Sequence, residues 1–190
     1  DGLFAHDAPA LVQLNLSNCG LGWAACQSLA RLLLANKPKY LKLHTLLLSN
    51  NKKLGNRGAA ILAEALGHNC CRVACLDVSR CGLSDGGACS LGHLLCFNTT
   101  VETLWAADNR FRGDSGTAAL RDGLAANRFL RELDLQGCAL HGEGAARVAE
   151  GVAASNSLCC LDISHCEVDA AGAPAISEML ATCTNLRSFF

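Results

Sequence analysis

The sequence predicts an α/β solenoid in which strand–helix units stack in a line, share one parallel β-sheet and bury one long, thin core. Three observations predict it. A leucine-based pattern recurs at near-constant intervals through the whole chain. Each copy is followed by a small residue and then by apolar residues at helical spacing. The apolar content, 51% of the residues, includes only 5% aromatics, so leucine, alanine and cysteine must fill the core.

The pattern begins at Leu11 as LVQLNLSNCGL and returns at Leu43 as LHTLLLSNNKKL, with one extra residue. It recurs as VACLDVSRCGL from Val73, VETLWAADNRF from Val101, LRELDLQGCAL from Leu130 and LCCLDISHCEV from Leu158. Successive starts lie 32, 30, 28, 29 and 28 residues apart, and a seventh copy opens 28 residues later at Leu186. Residues 1–10 therefore read as the end of a preceding repeat, 11–185 as six repeats and 186–190 as the start of a seventh. One unit cannot bury its own apolar stripe, whereas a stack buries them all. Neither end of the chain reads as a polar cap, so the expectation is a fragment of a longer repeat array.

Each position has a physical role. Leucines two apart, as in Leu14 and Leu16 or Leu133 and Leu135, put one face of a short strand inward. The ninth position carries Cys19, Asn51, Cys81, Asn109, Cys138 and Cys166. The chain must turn there, and a column of amides and thiols can satisfy loop backbone that would otherwise be buried without partners. Gly58, Gly87, Gly116, Gly144 and Gly172, with Ala25 in the first copy, let each helix start press against the strand layer. Ile61, Leu62, Ala65 and Leu66, and then Leu120 and Leu124, follow at helical spacing. Asn36, Asn69, Asn98, Asn127, Asn156 and Asn185 are expected to stop the helices by adopting the left-handed conformation. The run Lys37-Pro38-Lys39-Tyr40-Leu41-Lys42 lengthens one helix-to-strand turn and reads as a basic surface loop.

Units of 28–29 residues with Cys or Asn at the ninth place and a glycine-led helix resemble leucine-rich repeats of the ribonuclease-inhibitor type. The resemblance covers residues 11–190. It implies a horseshoe with the parallel sheet on the concave face and the helices on the convex face. Proteins of this subtype include NOD-like immune receptors, the activating protein of the Ran GTPase, tropomodulin-like proteins and ciliary regulatory subunits. Most are binding scaffolds that use the concave face or its rims. In one respect the chain departs from the inhibitors, which alternate Cys-type and Asn-type units. Here Cys takes four of six places without strict alternation.

In that arrangement the outward strand positions form two columns. Asn15, Leu47, Asp77, Trp105, Asp134 and Asp162 make the middle one. Gln13, Thr45, Cys75, Thr103, Glu132 and Cys160 make a flanking one. Trp105 among Asp77, Glu132, Asp134 and Asp162, with Asp108 nearby, resembles an interface hot spot for a protein of basic or mixed charge. Two plainer readings stand beside it. The aspartates serve only to solubilise the strand face, or Trp105 folds over its neighbours in the room left by Ala106 and Ala107.

Other signals are weaker. The net charge is −1, and no cluster suggests nucleic acid as a partner. No uninterrupted apolar run is long enough to span a bilayer, so no membrane role is expected. The 13 cysteines recur at repeat and helix positions, which favours free thiols and a reducing, cytoplasmic setting over a disulfide framework. Cys75 and Cys160, Cys70 and Cys71, and His165 with Cys166 lack zinc spacing or dyad geometry. Arg112-Gly113-Asp114 in a strand-to-helix loop reads as a coincidence, while the sequons at Asn15 and Asn98 and the glycines of Gly142-Glu143-Gly144 are explained by the repeat. No catalytic residue, cofactor or metal is implied. The leading expectation is a non-enzymatic protein-interaction scaffold. The resemblance adds two alternatives, a GTPase-activating regulator and an inhibitor that occludes an enzyme, and extends the cytoplasmic setting to cytoskeletal or ciliary assemblies.

Overall fold

The computed structural model describes residues 11–34, 41–68 and 72–190. The first ten residues, the basic turn at 37–40, Asn36, Asn69, Cys70 and Cys71 lie outside the described residues. Strands and helices alternate: β1 (Leu11–Asn15), α1 (Trp23–Leu34), β2 (Leu41–Leu47), α2 (Gly55–Gly67), β3 (Cys75–Asp77), α3 (Asp85–Phe97) and β4 (Thr103–Trp105). They continue with α4 (Asp114–Ala126), β5 (Glu132–Asp134), α5 (His141–Ala154), β6 (Cys160–Asp162), α6 (Ala173–Thr182) and β7 (Ser188–Phe189). The strands form one parallel sheet in chain order, the solenoid arrangement expected from the repeat.

The core is a set of stacked layers. Leu46, Leu76, Leu104, Leu133 and Leu161 come from successive strands and are almost fully buried. Leu62, Leu66, Leu91, Leu95, Leu120, Leu124, Val148 and Val152 meet them from the helices. Burying one such leucine contributes about 2 kcal/mol. Phe111 is fully buried where other units carry a smaller residue.

The ninth position ties each unit to the one before it. The Asn51 amide donates to the carbonyls of Leu16 (2.9 Å) and Leu48 (2.7 Å). Its oxygen accepts the N–H groups of Cys19 and Leu21. Asn109 repeats this, donating to Val78 and Ala106 and accepting from Leu83. The cysteine rungs donate their thiols to the same carbonyl column: Cys81 to Leu48 (3.1 Å), Cys138 to Ala106 (3.1 Å) and Cys166 to Leu135 (3.0 Å). Burial holds these thiols protonated, pushing Cys81 up to about 11 and Cys138 and Cys166 upward as well.

The helix-ending asparagines work differently from the expectation. Asn98 and Asn127 are extended (φ −77° and −71°), not left-handed. Their side chains do the stopping. Asn98 accepts the N–H groups of Thr100 and Val101 and donates to the Leu66 carbonyl. Asn127 accepts from Phe129 and Leu130 and donates to Leu95 and Asn98. Ser155 and Cys183, not Asn156 and Asn185, stand at the equivalent place in the next two units: Ser155 lies near the N–H of Leu158, and Cys183 donates to Val152. A short polar side chain offers the backbone an alternative partner, which ends a helix without positive φ.

Cross-repeat capping completes the frame. Asn56 accepts the Ser84 N–H (2.8 Å) and Asp85 accepts the Gly116 N–H (2.6 Å), so each holds the start of the following helix. Close contact favours glycine at two of the helix starts. A Cβ on Gly116 would stand 2.4 Å from the Asp85 carboxylate, and one on Gly58 2.7 Å from Leu54.

Two outcomes test this frame. Asn109→Ala leaves buried backbone groups without partners and should lower stability by about 3 kcal/mol, read from urea unfolding. Thiols raised above their ordinary 9.0 stabilise the fold below that pH, and this contribution is lost as pH rises through about 11. The melting temperature should therefore fall between pH 9 and 11, and Cys81→Ser should fall less than the parent.

Candidate protein-binding face

Strand register places the outward residues. Leu47 pairs with Asp77, Asp77 with Trp105, Trp105 with Asp134 and Asp134 with Asp162. Thr45, Cys75, Thr103, Glu132 and Cys160 pair in the same order beside them. Neighbouring strands lie about 4.8 Å apart, so each set is a continuous line. Asp77, Trp105, Glu132, Asp134 and Asp162 thus share one surface.

Trp105 is half-buried, and its indole N–H donates to Glu132 (2.8 Å). The ring therefore leans across the sheet towards the next strand and stays partly exposed. Glu132 fixes its orientation, which lowers the entropy that docking would cost. Asp77, Asp134 and Asp162 each accept the N–H two residues further on, at Ser79, Gln136 and Ser164. One carboxylate oxygen of each closes the turn after the strand. The column is thus partly structural, a turn-closing role that neither sequence reading of the aspartates gave, and the second oxygen of each has no hydrogen-bond partner among the described residues.

Burial, and then Asp162, Asp108 and Asp77, raise the Asp134 carboxyl above the usual carboxylate range. Burial and the neighbouring carboxylates thus make ionisation of Asp134 less favourable than in water. Asp108 is separate in kind. It sits in a left-handed turn (φ 54°) and pairs with Arg80 at 2.8 Å. Arg131 and Glu102, 3.8 Å apart, give one edge of the face mixed charge.

Several sequence motifs have structural employment. Asn98 is buried with its amide engaged, so it is closed to glycosylation. Asp114 of the Arg112-Gly113-Asp114 run holds Arg147 at 2.7 Å. Cys166 is buried and His165 exposed, so they form no dyad. All eleven described cysteines are free thiols. Among the described residues, no group of His, Cys, Asp and Glu is gathered to hold a metal, and no helix is long and apolar enough to cross a membrane.

A family model described as Leucine Rich repeat matches residues 126–149 and 154–177. Human NACHT, LRR and PYD domains-containing protein 12 is 37% identical over 115 residues, 60% of this chain and 10% of that protein. Ribonuclease inhibitor of Sus scrofa is 32% identical over 136 residues, 70% of this chain and 28% of the inhibitor. The chain is a leucine-rich-repeat protein of the ribonuclease-inhibitor type. It spans a tenth to just over a quarter of the length of these relatives. The solved structure titled Leiomodin-1 Actin-Binding Site 2 (ABS2) has the same fold, with a TM-score of 0.63 at 22% identity over 80% of this chain and 86% of that one.

Sequence reasoning missed the rim. Lys52, Arg80 and Arg110 each adjoin a ninth-position residue in consecutive repeats and gather on one edge. A net charge of −1 conceals them, whereas counting charge by repeat position finds them.

Asp134→Asn provides a test of the strained carboxylate. Its raised folded value makes the charged form the costly one, so the stability it withholds is lost as pH rises through that value. Asparagine keeps the bond from Gln136 without the charge. The variant should melt higher than the parent at pH 7, and the difference should shrink towards pH 3.

Proposed function

We propose that the chain is a non-enzymatic protein-binding module whose concave face, centred on Trp105, receives a protein surface of basic or mixed charge. One observation carries the reading: an oriented, half-exposed tryptophan is flanked along one sheet line by Asp77, Asp134 and Asp162. A lysine or arginine on the partner would relieve repulsion among the carboxylates and stack on the indole. The leucine-rich repeat itself supports a protein-interaction role.

The setting is cytoplasmic, as eleven unbridged cysteines suit a reducing compartment. The fold shared with the leiomodin-1 unit makes a cytoskeletal partner the first to test, and actin the first probe.

Trp105→Ala should weaken binding to the native partner by at least about 2 kcal/mol, the scale of a hot-spot truncation. Raising salt should weaken binding further, and Asp134→Asn should reduce it while stabilising the fold. Calorimetric titration with partners recovered by affinity purification, and cosedimentation with actin filaments, measure this. Unchanged affinity of Trp105→Ala for every native partner sinks the reading.

A further inference from the structure

The loops that follow β2, β3 and β4 enclose a groove of about 570 Å³ at the rim of the sheet, lined by Lys52, Arg80, Leu83, Ser84, Asp108 and Arg110. Its walls are held in place. Asn51, Cys81 and Asn109 bolt the three loops to the preceding units, through the carbonyls of Leu16, Leu48 and Val78, immediately beside Lys52, Arg80 and Arg110. Gly82 brings two loops into backbone contact, because a Cβ there would stand 2.4 Å from the Lys52 carbonyl oxygen. Its φ of +68° also favours glycine.

The charges of this groove are unbalanced. Arg80 has Asp108 as its partner. Among the described residues, no ion pair includes Lys52 or Arg110. Three cations gathered with one carboxylate among them repel one another, and an incoming anion offsets that repulsion. The volume lies within the range of specific ligand sites.

We infer that this rim groove binds an acidic, aspartate- or glutamate-rich segment of a protein. Lys52 and Arg110 would grip its carboxylates from the two sides, while the Ser84 hydroxyl offers a polar contact between them. Asp108 decides the class of ligand. A fixed carboxylate inside the groove repels the dense charge of a phosphodiester chain or an anionic headgroup layer. It tolerates spaced carboxylates on a flexible peptide. The groove lies outside the two columns of the concave face, so the inference does not depend on what that face binds.

Fluorescence anisotropy with a short labelled peptide of alternating aspartate and glutamate tests it on the chain, beside the same peptide with every side-chain carboxylate converted to amide. The acidic peptide should bind and the amide should not, and affinity should fall with salt. Lys52→Ala combined with Arg110→Ala should reduce affinity about tenfold, with the melting temperature unchanged because both side chains are exposed and unpaired. Trp105→Ala should leave peptide binding as it is, which separates this site from the concave face. Equal binding of acid and amide, equal binding by the parent and the double variant, or loss of binding in Trp105→Ala overturns the inference. So does adsorption of phosphatidylserine vesicles in place of the peptide, which would assign the rim to a lipid surface.

Discussion

The structure depends on one repeated hydrogen bond, from the ninth residue of each unit to the strand-end carbonyl of the unit before it. Leu16, Leu48, Val78, Ala106 and Leu135 form the accepting column, and Asn51, Cys81, Asn109, Cys138 and Cys166 supply the donors. These carbonyls lie where the chain leaves the sheet, beyond the reach of ladder bonding and of water. Left unmatched, each would cost a large share of the stability that its repeat contributes. Cysteine and asparagine are both admitted because both donate from a short side chain. They differ in what else they do. The amide oxygen accepts loop N–H groups well, whereas the sulfur meets the equivalent groups as a weaker acceptor. The tenth residues of the Cys units, Gly20, Gly82, Ala139 and Glu167, turn left-handed, while Lys52 and Arg110 of the Asn units do not.

A second column runs along the opposite edge, where helices return to strands. Asn98, Asn127, Ser155 and Cys183 do there what the ninth residues do at the strand ends. With both edges pinned and the leucine layers between them, the outward strand positions carry little of the folding burden. They are free to vary, and recognition chemistry can be placed on them without unfolding the stack. The aspartates of the middle column show how economical this is. One oxygen finishes a turn and the other remains available to a partner.

Much of this was legible in the sequence, because a solenoid writes its geometry as a period. The spacing of leucines placed Leu76, Leu104, Leu133 and Leu161 inward and Asp77, Trp105, Asp134 and Asp162 outward, and the strand pairing agrees. The role of the ninth residues could be read from the donors they carry. The helix stops were misread for a physical reason. Asparagine has two ways to end a helix, by its backbone or by its side chain, and sequence alone does not distinguish them. Alignment on asparagine also singled out Asn156 and Asn185, whereas alignment on function selects Ser155 and Cys183. The lean of Trp105 onto Glu132 and the pairing of Arg80 with Asp108 depend on rotamers and loop shape, which a period does not encode.

The helices of the middle repeats touch through glycine. A Cβ on Gly92 would stand 2.3 Å from the Ala119 carbonyl carbon and oxygen, one on Gly123 2.4 Å from the Gly92 oxygen, and one on Gly151 2.7 Å from the Arg121 oxygen. Helices ordinarily sit about 8–10 Å apart while strands sit about 4.8 Å apart, and that mismatch fans a solenoid into an arc. Drawing α3, α4 and α5 together shortens the outer circumference and leaves the inner one unchanged. Larger residues at these glycines would push the helices apart and tighten the bow around the strand that carries Trp105. A flattened floor presents its side chains to a broad, gently contoured visitor rather than to a narrow ridge, so the spacing of backbones on the far side of the molecule helps to decide which shapes can settle on this one.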